Sequence, residues 1–60
     1  MTVGELKKYL KKNNCKKLRE GTRHEIWVNE NGDQFAVPRH NSQELKTGTK
    51  ESILKEAGLK

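Results

Sequence analysis

The spacing of the apolar residues changes twice along this chain, and these changes limit the folds open to it. Apolar residues recur at helical intervals over residues 3–10 and again over residues 53–59, whereas over residues 15–37 they alternate as in strands. A chain of 60 residues forms one domain at most. The pattern therefore predicts a single domain, residues 1–60, with one helix before a short sheet and one after it.

Local signals mark the two ends of the first helix. Thr2 lies three residues ahead of Glu5, which is the pattern of a capping box at a helix start. Residues 13–14 (Asn-Asn) are expected to stop the helix. Its apolar stripe consists of Val3, Leu6 and Leu10. The lysines expected on its other faces are Lys7, Lys8, Lys11 and Lys12.

Three short runs are predicted to form an antiparallel meander: residues 17–19, 23–28 and 34–37. Residues 31–32 (Asn-Gly), between the last two runs, are typical of a tight turn. Pro38 cannot donate to a strand ladder, so it is expected to end the third strand. The element order is then α-β-β-β-α, an α+β fold with a three-stranded antiparallel sheet and two helices on one face.

The second run carries the residues whose orientation matters most. Alternation places His24, Ile26 and Val28 on one side of the strand, and it places Arg23, Glu25 and Trp27 on the other. The aliphatic side is expected to face the helices. Trp27 is then exposed, and it either stacks on an unpaired base or is covered by a partner subunit. The same alternation turns His24 inward unless it lies at the frayed start of the strand.

The last helix follows a polar loop, residues 39–47. Thr47 or Thr49 is expected to cap its start. Gly58 is expected to close the helix, with Leu59 making the apolar contact that accompanies such an ending. The apolar stripe of this helix consists of Ile53, Leu54 and Ala57.

The charge of the chain favours polyanionic partners. Thirteen Lys+Arg against eight Asp+Glu give a net charge of +5, which suits nucleic acid, an anionic membrane or an acidic protein. A membrane role is not expected, because no run approaches the ~20 apolar residues of a spanning helix and no signal-peptide stretch is seen. The single Cys15 allows no internal disulfide and no thiolate metal cluster. It fits a reducing cytoplasm and is expected to be a small buried apolar residue.

His24 is the strongest candidate for chemistry. An imidazole accepts a proton near neutral pH, and Lys17, Arg19 and Arg23, which are close in sequence, attract phosphate. This combination suits RNA cleavage, in which a base removes the proton of a ribose 2′-OH and cations stabilise the charge that develops at phosphorus. The residues alone equally allow a structural histidine that caps the strand or packs beside Ile26.

His40 follows the third strand. The start of one antiparallel strand lies near the end of its neighbour, so His40 is expected close to His24. The two histidines would then divide the base and acid roles, or His40 would only order its loop. Both histidines and the single Asp33 provide no ligand pair at metal-binding spacing. A mechanism without a metal or other cofactor is therefore expected.

Four segments carry a resemblance to a known family: residues 37–40 (Val-Pro-Arg-His), 44–46 (Glu-Leu-Lys), 48–49 (Gly-Thr) and 53–59 (Ile-Leu-Lys-Glu-Ala-Gly-Leu). Together with the lysine-rich first helix and His24 in the same order, they make the chain similar to the HicA family of bacterial toxins, from HicA–HicB toxin–antitoxin pairs. The resemblance covers nearly the whole chain.

The resemblance implies a small double-stranded-RNA-binding-like fold and an endoribonuclease that cleaves mRNA, with His24 as its catalytic general acid/base. It also implies a HicB-like antitoxin that covers the catalytic face, and it allows a higher-order toxin–antitoxin assembly. In such a protein the residues expected to contact RNA are Lys16, Lys17, Arg19, Arg23, Trp27, Arg39 and His40.

The chain departs from the family pattern at two places. The catalytic histidine of the family follows Gly-Ser, whereas residues 22–23 here are Thr-Arg, and Arg23 is expected to supply a cation instead. The Gly-aromatic pair that often follows the first helix is replaced by residues 14–15 (Asn-Cys).

Two other function classes remain open from the sequence. The first is a non-catalytic RNA- or DNA-binding module that uses the same basic residues without chemistry. The second is an interaction protein that an acidic partner neutralises or anchors, for which the lysine-rich first helix is suited. New RNA ends in a product analysis would distinguish the nuclease from both.

Overall fold

Two helices and three strands follow one another in the predicted order. The computed structural model describes residues 1–60. Its elements are α1 (Val3–Lys12), β1 (Lys16–Glu20), β2 (His24–Val28), β3 (Gln34–Pro38) and α2 (Thr47–Glu56). The strands form one antiparallel sheet in the order β1-β2-β3. The predicted α-β-β-β-α order and α+β class are confirmed, although each strand differs from the sequence prediction by one residue at one or both ends.

Both helices pack on one face of this sheet. Ten buried apolar side chains form a single core cluster: Val3, Leu6, Leu10, Cys15, Trp27, Phe35, Val37, Leu45, Ile53 and Ala57. Leu54 and Leu59 pack against it while partly exposed. The predicted stripes of both helices are therefore confirmed, as is the burial of Cys15, which raises the pKa of its thiol. Neither helix has the length and apolar character that crossing a membrane requires.

The strand register decides which side of β2 is buried. Trp27 lies opposite Phe35, and Glu25 lies opposite Val37. Directly paired residues share a sheet face, so Trp27 and Glu25 join the buried side chains of β3. The prediction that Ile26 and Val28 face the helices is wrong, because the sheet buries the large indole together with Phe35 instead.

The opposite side of the sheet is covered by no element of the chain, and we call it the open face. The register assigns eight residues to it: Lys16, Arg19, His24, Ile26, Val28, Gln34, Ala36 and Pro38. None of the eight is buried. Small apolar groups occupy its centre, and charged or polar groups occupy its margins.

The ends of α1 follow the local sequence signals. The Thr2 hydroxyl accepts a hydrogen bond from the Glu5 amide, and the Thr2 amide donates one to the Glu5 carboxylate, which confirms the capping box. At the other end Asn14 has φ 67°. The Cys15 amide donates to Leu10 O at 2.9 Å and the Asn14 amide to Lys11 O at 3.3 Å. This pair of bonds is a Schellman motif, in which Asn14 takes the position that glycine usually fills.

The start of α2 differs from the prediction. The helix begins at Thr47 with Lys46 as its N-cap, and no side chain caps it. Thr47 and Thr49 both lie within the first turn, so neither threonine caps the helix as predicted. The predicted end is confirmed: Gly58 has φ 76°, and the Leu59 amide donates to Leu54 O at 2.9 Å.

The connection between β2 and β3 spans residues 29–33 and contains the predicted Asn-Gly turn. The Asn29 side-chain oxygen accepts hydrogen bonds from the Asn31 and Asp33 amides, both at 2.9 Å. The Asn29 side-chain nitrogen donates to Ala57 O at 3.2 Å. The connection is therefore longer than a two-residue turn and is anchored to the end of α2.

Candidate active site around His24

His24 is the first residue of β2 and lies exposed on the open face, opposite Pro38 of β3. The alternation of the strand itself turns it outward, because Glu25 and Trp27 occupy the buried side. Fraying of the strand start, which the sequence prediction required for an exposed His24, is not needed. Its side chain can meet a ligand that approaches the sheet from solvent.

The turn that precedes His24 is closed tightly by Gly21. The Gly21 amide donates to His24 O at 2.7 Å. A Cβ atom built on Gly21 would lie 2.6 Å from that same oxygen, closer than real Cβ contacts come. Only glycine therefore fits at this position, and the bond fixes the backbone at the start of β2.

A bulge in β1 determines which cations share the open face with His24. Lys17 pairs with Trp27, but Arg19 pairs with Ile26, so Leu18 is an extra residue in the ladder. Without it, Lys17 and Arg19 would share one face of the strand. The bulge instead turns Arg19 toward the open face and leaves Lys17 near the buried side of the sheet.

Three predicted RNA contacts are exposed and free of ion pairs: Lys16, Arg19 and Arg23. Lys16 and Arg19 lie on the open face, and Arg23 directly precedes His24 in the turn. Their charges are available to a polyanion because no carboxylate of the chain competes for them. We call these residues the free cations.

Two other predicted RNA contacts are paired within the protein. Lys17 Nζ hydrogen-bonds Glu20 and lies 3.8 Å from Glu25 Oε2. The bond between Lys17 and Glu20 raises the pKa of Lys17 and lowers that of Glu20. Arg39 Nη2 donates to Gly21 O at 2.8 Å and lies 3.2 Å from Glu20 Oε2. Arg39 thus joins the end of β3 to the turn before His24.

A buried polar network lies beneath this site. Lys7 Nζ is 3.1 Å from Glu25 Oε1, and the two side chains are 11% and 12% exposed. The Trp27 indole N–H also donates to Glu25 Oε1, at 3.0 Å. Burial raises the pKa of Glu25, but the hydrogen bonds from Trp27 and Lys7 outweigh it and hold that pKa below its usual value.

Sequence reasoning missed this network. Lys7 was expected on an outer face of the first helix, which is wrong, since it is buried. Its position was a usable signal, because Val3, Leu6, Lys7 and Leu10 follow the i, i+3, i+4, i+7 pattern of one helix face. Glu25 was equally detectable as the strand neighbour of Trp27 on the same side of β2.

The expectation of an exposed Trp27 is wrong. Its side chain is 1% exposed and forms part of the core. Both ring faces are packed by the protein, so no base can stack on them in this structure. The Glu25 carboxylate that accepts the indole hydrogen bond explains how the polar edge of Trp27 is accommodated inside.

His40 is exposed in the loop that follows β3. Pro38, the last residue of β3, pairs with His24, so His40 leaves the sheet at the His24 end. Its backbone oxygen accepts a hydrogen bond from the Gln43 amide at 3.1 Å. The topology thus places both histidines at one end of the sheet.

The arrangement offers a proton acceptor beside groups that bind phosphate. No three side chains of His, Cys, Asp or Glu converge into a group that could hold a metal ion. Proton transfer at an exposed imidazole, supported by exposed cations on the same face, is the chemistry that the residues themselves supply.

Comparison with known proteins identifies the family. The model of the HicA toxin of bacterial toxin–antitoxin systems matches residues 3–59. No curated protein and no solved structure matches the chain. The family match spans every helix and strand described above, including the turn before His24. The chain therefore belongs to the HicA family and is the toxin of a bacterial toxin–antitoxin system.

Proposed function

We propose that this toxin is an endoribonuclease that cleaves mRNA with His24 as its general acid/base. The observation that carries the proposal is the exposure of His24 on the open face, with Arg23 next to it in the chain and Arg19 opposite Ile26 on the same face. Lys16, the third free cation, lies on this face at the other end of β2. An exposed base surrounded by unpaired positive charge is suited to a substrate that carries both a removable proton and phosphate.

In the proposed reaction the His24 imidazole removes the proton from a ribose 2′-OH. The 2′ oxygen attacks the adjacent phosphorus, the bond to the 5′ oxygen of the next nucleotide breaks, and a 2′,3′-cyclic phosphate forms. Arg19 and Arg23, the free cations on the His24 side of the open face, stabilise the negative charge that develops on the phosphoryl oxygens. No cofactor takes part in these steps.

The leaving 5′ oxygen needs a proton to complete the cleavage. His40 is the candidate donor, because it leaves the sheet at the same end as His24. If His40 does not serve, the proton that His24 has taken up is returned through water. The balance is the same in both cases: one proton leaves the 2′-OH and one is gained by the 5′ oxygen.

A HicB-like antitoxin is the proposed inhibitor. The open face combines an apolar centre, Ile26, Val28 and Ala36, with a basic margin. A partner with an apolar patch and acidic residues would cover this face and exclude RNA from His24. The proposal places both proteins in the cytoplasm, where mRNA is translated, and a higher-order assembly of toxin and antitoxin is compatible with it.

The test is RNA cleavage by protein made in a cell-free system. We expect the wild type to cut an mRNA transcript in EDTA into fragments with 2′,3′-cyclic phosphate and 5′-hydroxyl ends. The His24→Ala variant should lose at least about 100-fold in rate, the usual share of acid–base catalysis. DNA of the same sequence lacks the 2′-OH and should remain intact. In growing cells the variant should lose its toxicity.

The control is His40→Ala, which should lose activity only if His40 is the acid. Equal cleavage by wild type and His24→Ala would contradict the catalytic role of His24. RNA binding without new ends would instead favour the non-catalytic RNA- or DNA-binding module. Circular dichroism of each variant would verify folding, which an exposed residue such as His24 should not affect.

A further inference from the structure

A closed series of contacts holds His24 from two sides and meets at Arg39. On one side Arg39 Nη2 donates to Gly21 O at 2.8 Å, and the Gly21 amide donates to His24 O at 2.7 Å. On the other side the backbone oxygen of Arg39 accepts from Lys7 Nζ at 3.1 Å. Lys7 also binds Glu25, the residue that follows His24, at 3.1 Å.

We propose that Arg39 is a positioning residue that fixes His24 for catalysis, and not a ligand of the RNA phosphates. The inference rests on the proposed function, since it assigns the role of Arg39 in the same reaction. It differs from the sequence expectation, which placed Arg39 among the phosphate contacts.

The geometry suits an arginine at this position. One guanidinium nitrogen, Nη2, donates to Gly21 O at 2.8 Å and lies 3.2 Å from Glu20 Oε2. The planar guanidinium holds its N–H groups in a fixed plane, whereas a lysine ammonium is a point charge on a flexible stem. A lysine at this position would keep the positive charge but would not hold the turn in one place.

Glu20 is the anchor for Arg39. Its Oε2 faces Arg39, while its Oε1 accepts from Lys17. The bond from Lys17 lowers the pKa of Glu20, so the anchor is ionised at neutral pH. A carboxylate with two cationic partners limits the positions that the Arg39 side chain can adopt.

Because Glu20 is the anchor, the positioning proposal and a simple effect of charge predict opposite changes in cleavage rate when its negative charge is removed. Removing a negative charge from a protein that binds RNA should tighten binding and increase cleavage. If Glu20 instead holds Arg39 in place, Glu20→Gln should lower the cleavage rate at saturating RNA. The sign of the effect therefore separates positioning from electrostatic attraction.

The experiment is single-turnover cleavage of an mRNA transcript by Arg39→Ala, Arg39→Lys and Glu20→Gln, with RNA concentration varied. We expect both Arg39 variants to lose at least about tenfold in maximal rate, since a small misplacement of a catalytic group is costly. The RNA concentration at half-maximal rate should stay within about twofold of the wild type. Glu20→Gln should also be slower than the wild type.

The matched control is Glu30→Gln, which removes an exposed carboxylate beyond the other end of β2 and outside any ion pair. Its maximal rate should not fall. Wild-type rates in Arg39→Lys, or faster cleavage by Glu20→Gln, would overturn the proposal. So would an Arg39→Ala variant that needs more RNA but reaches the full rate, because that is the behaviour of a phosphate ligand.

A second readout does not depend on catalysis. Amide hydrogen exchange measured by NMR should become at least about tenfold faster at Gly21 in Arg39→Ala, because local opening of the turn is no longer restrained. Amides of α2 should exchange as in the wild type, which shows that the fold is intact. If His24→Ala cleaves RNA as fast as the wild type, the proposed function fails. Unchanged exchange at Gly21 in Arg39→Ala would separately overturn the positioning role of Arg39.

Discussion

Lys7 places a positive charge inside a very small protein, and its partners explain how the fold accommodates it. Its ammonium group has three donors, and three acceptors surround it: Glu25 Oε1 at 3.1 Å, Arg39 O at 3.1 Å and Asn41 Oδ1 at 2.7 Å. No buried side-chain nitrogen or oxygen of the protein lacks a hydrogen-bond partner. The charge is thus fully compensated by fixed groups from β2 and the loop after β3.

Truncating Lys7 should therefore be far more harmful than truncating its neighbour Lys8, which is exposed. We expect Lys7→Ala to cost about 3–5 kcal/mol of unfolding free energy, because it leaves Glu25 buried without its main partner. Lys8→Ala should change the unfolding free energy by no more than about 0.5 kcal/mol. Urea denaturation, followed by the emission of the buried Trp27, measures both.

A loss of this size approaches the whole stability of a 60-residue domain, about 3–5 kcal/mol. Lys7→Ala should then show no cooperative transition at 25 °C. Equal urea midpoints for the Lys7 and Lys8 variants would show that the buried pair does not stabilise the fold.

The residue scale also shows why the site was only partly predictable. His24 was predicted as a candidate because a histidine among cations is visible locally in the sequence. The role of Arg39 depends on its contact with Gly21, 18 residues away. The pairing of His24 with Pro38 brings the end of β3 beside the turn that holds Gly21, and no short sequence window encodes that register.

At the scale of elements, local signals predicted the helices and strands well. The capping box of Thr2 and Glu5 and the closing Gly58 act within one turn of the chain, so their geometry follows directly from the sequence. The prediction of which side of β2 is buried was wrong, because alternation defines two sides of a strand but does not show which of them faces the helices. The pairing of Trp27 with Phe35 decides which side is buried, and that pairing depends on how β2 and β3 align in the sheet.

The end of α1 offers a test of one family departure. Asn14 has φ 67°, a conformation that glycine adopts without strain and that alanine does not. We expect Asn14→Gly to raise the unfolding free energy by up to about 1 kcal/mol and Asn14→Ala to lower it by about 1 kcal/mol. For a domain of this size each kcal/mol shifts the thermal midpoint by about 4–8 °C.

Thermal unfolding of the two Asn14 variants, followed by circular dichroism, provides the measurement. A stabilising alanine would show that residue 14 does not hold the left-handed conformation in solution. Asn13→Ala is the companion variant. It removes the side-chain bond to Tyr9 O at 2.8 Å but leaves the Asn14 backbone conformation in place.

At the scale of the whole molecule, some cationic side chains are held in ion pairs within the protein and others are exposed without a carboxylate partner. Four cationic side chains are engaged in ion pairs: Lys7, Lys17, Arg39 and Lys60. The free cations, in contrast, have no carboxylate partner. The net charge of +5 therefore overstates the positive charge that is available to single-stranded RNA at the open face.

This division predicts the salt dependence of RNA binding. Three phosphate contacts from the free cations correspond to a slope of about −2 in a plot of log affinity against log salt concentration for a single strand. Arg23→Ala should make the slope shallower by about 0.7. Arg39→Ala should leave it unchanged. Fluorescence anisotropy of a labelled RNA, measured with His24→Ala protein to prevent cleavage, gives these slopes.

A slope much steeper than −2 for the His24→Ala protein with all other residues unchanged would show that RNA also contacts cations outside the open face, such as Lys8 and Lys11 of α1. A slope near zero would rule out phosphate contacts as the basis of binding. An equal change of slope for Arg23→Ala and Arg39→Ala would place both residues at the RNA.

The tight turn before His24 has a consequence for how this protein can vary in evolution. Gly21 and His24 are joined by a backbone bond, whereas residues 22–23 form the exposed tip between them. Substitution at Gly21 forces a Cβ atom against His24 O, but the tip can change without moving either end. Selection should therefore hold residue 21 constant for the sake of the backbone, whereas residues 22–23 are constrained only by what their side chains contact, as Arg23 is by its proposed contact with RNA. A change at the tip can thus alter the surface offered to RNA or antitoxin and leave the imidazole in place.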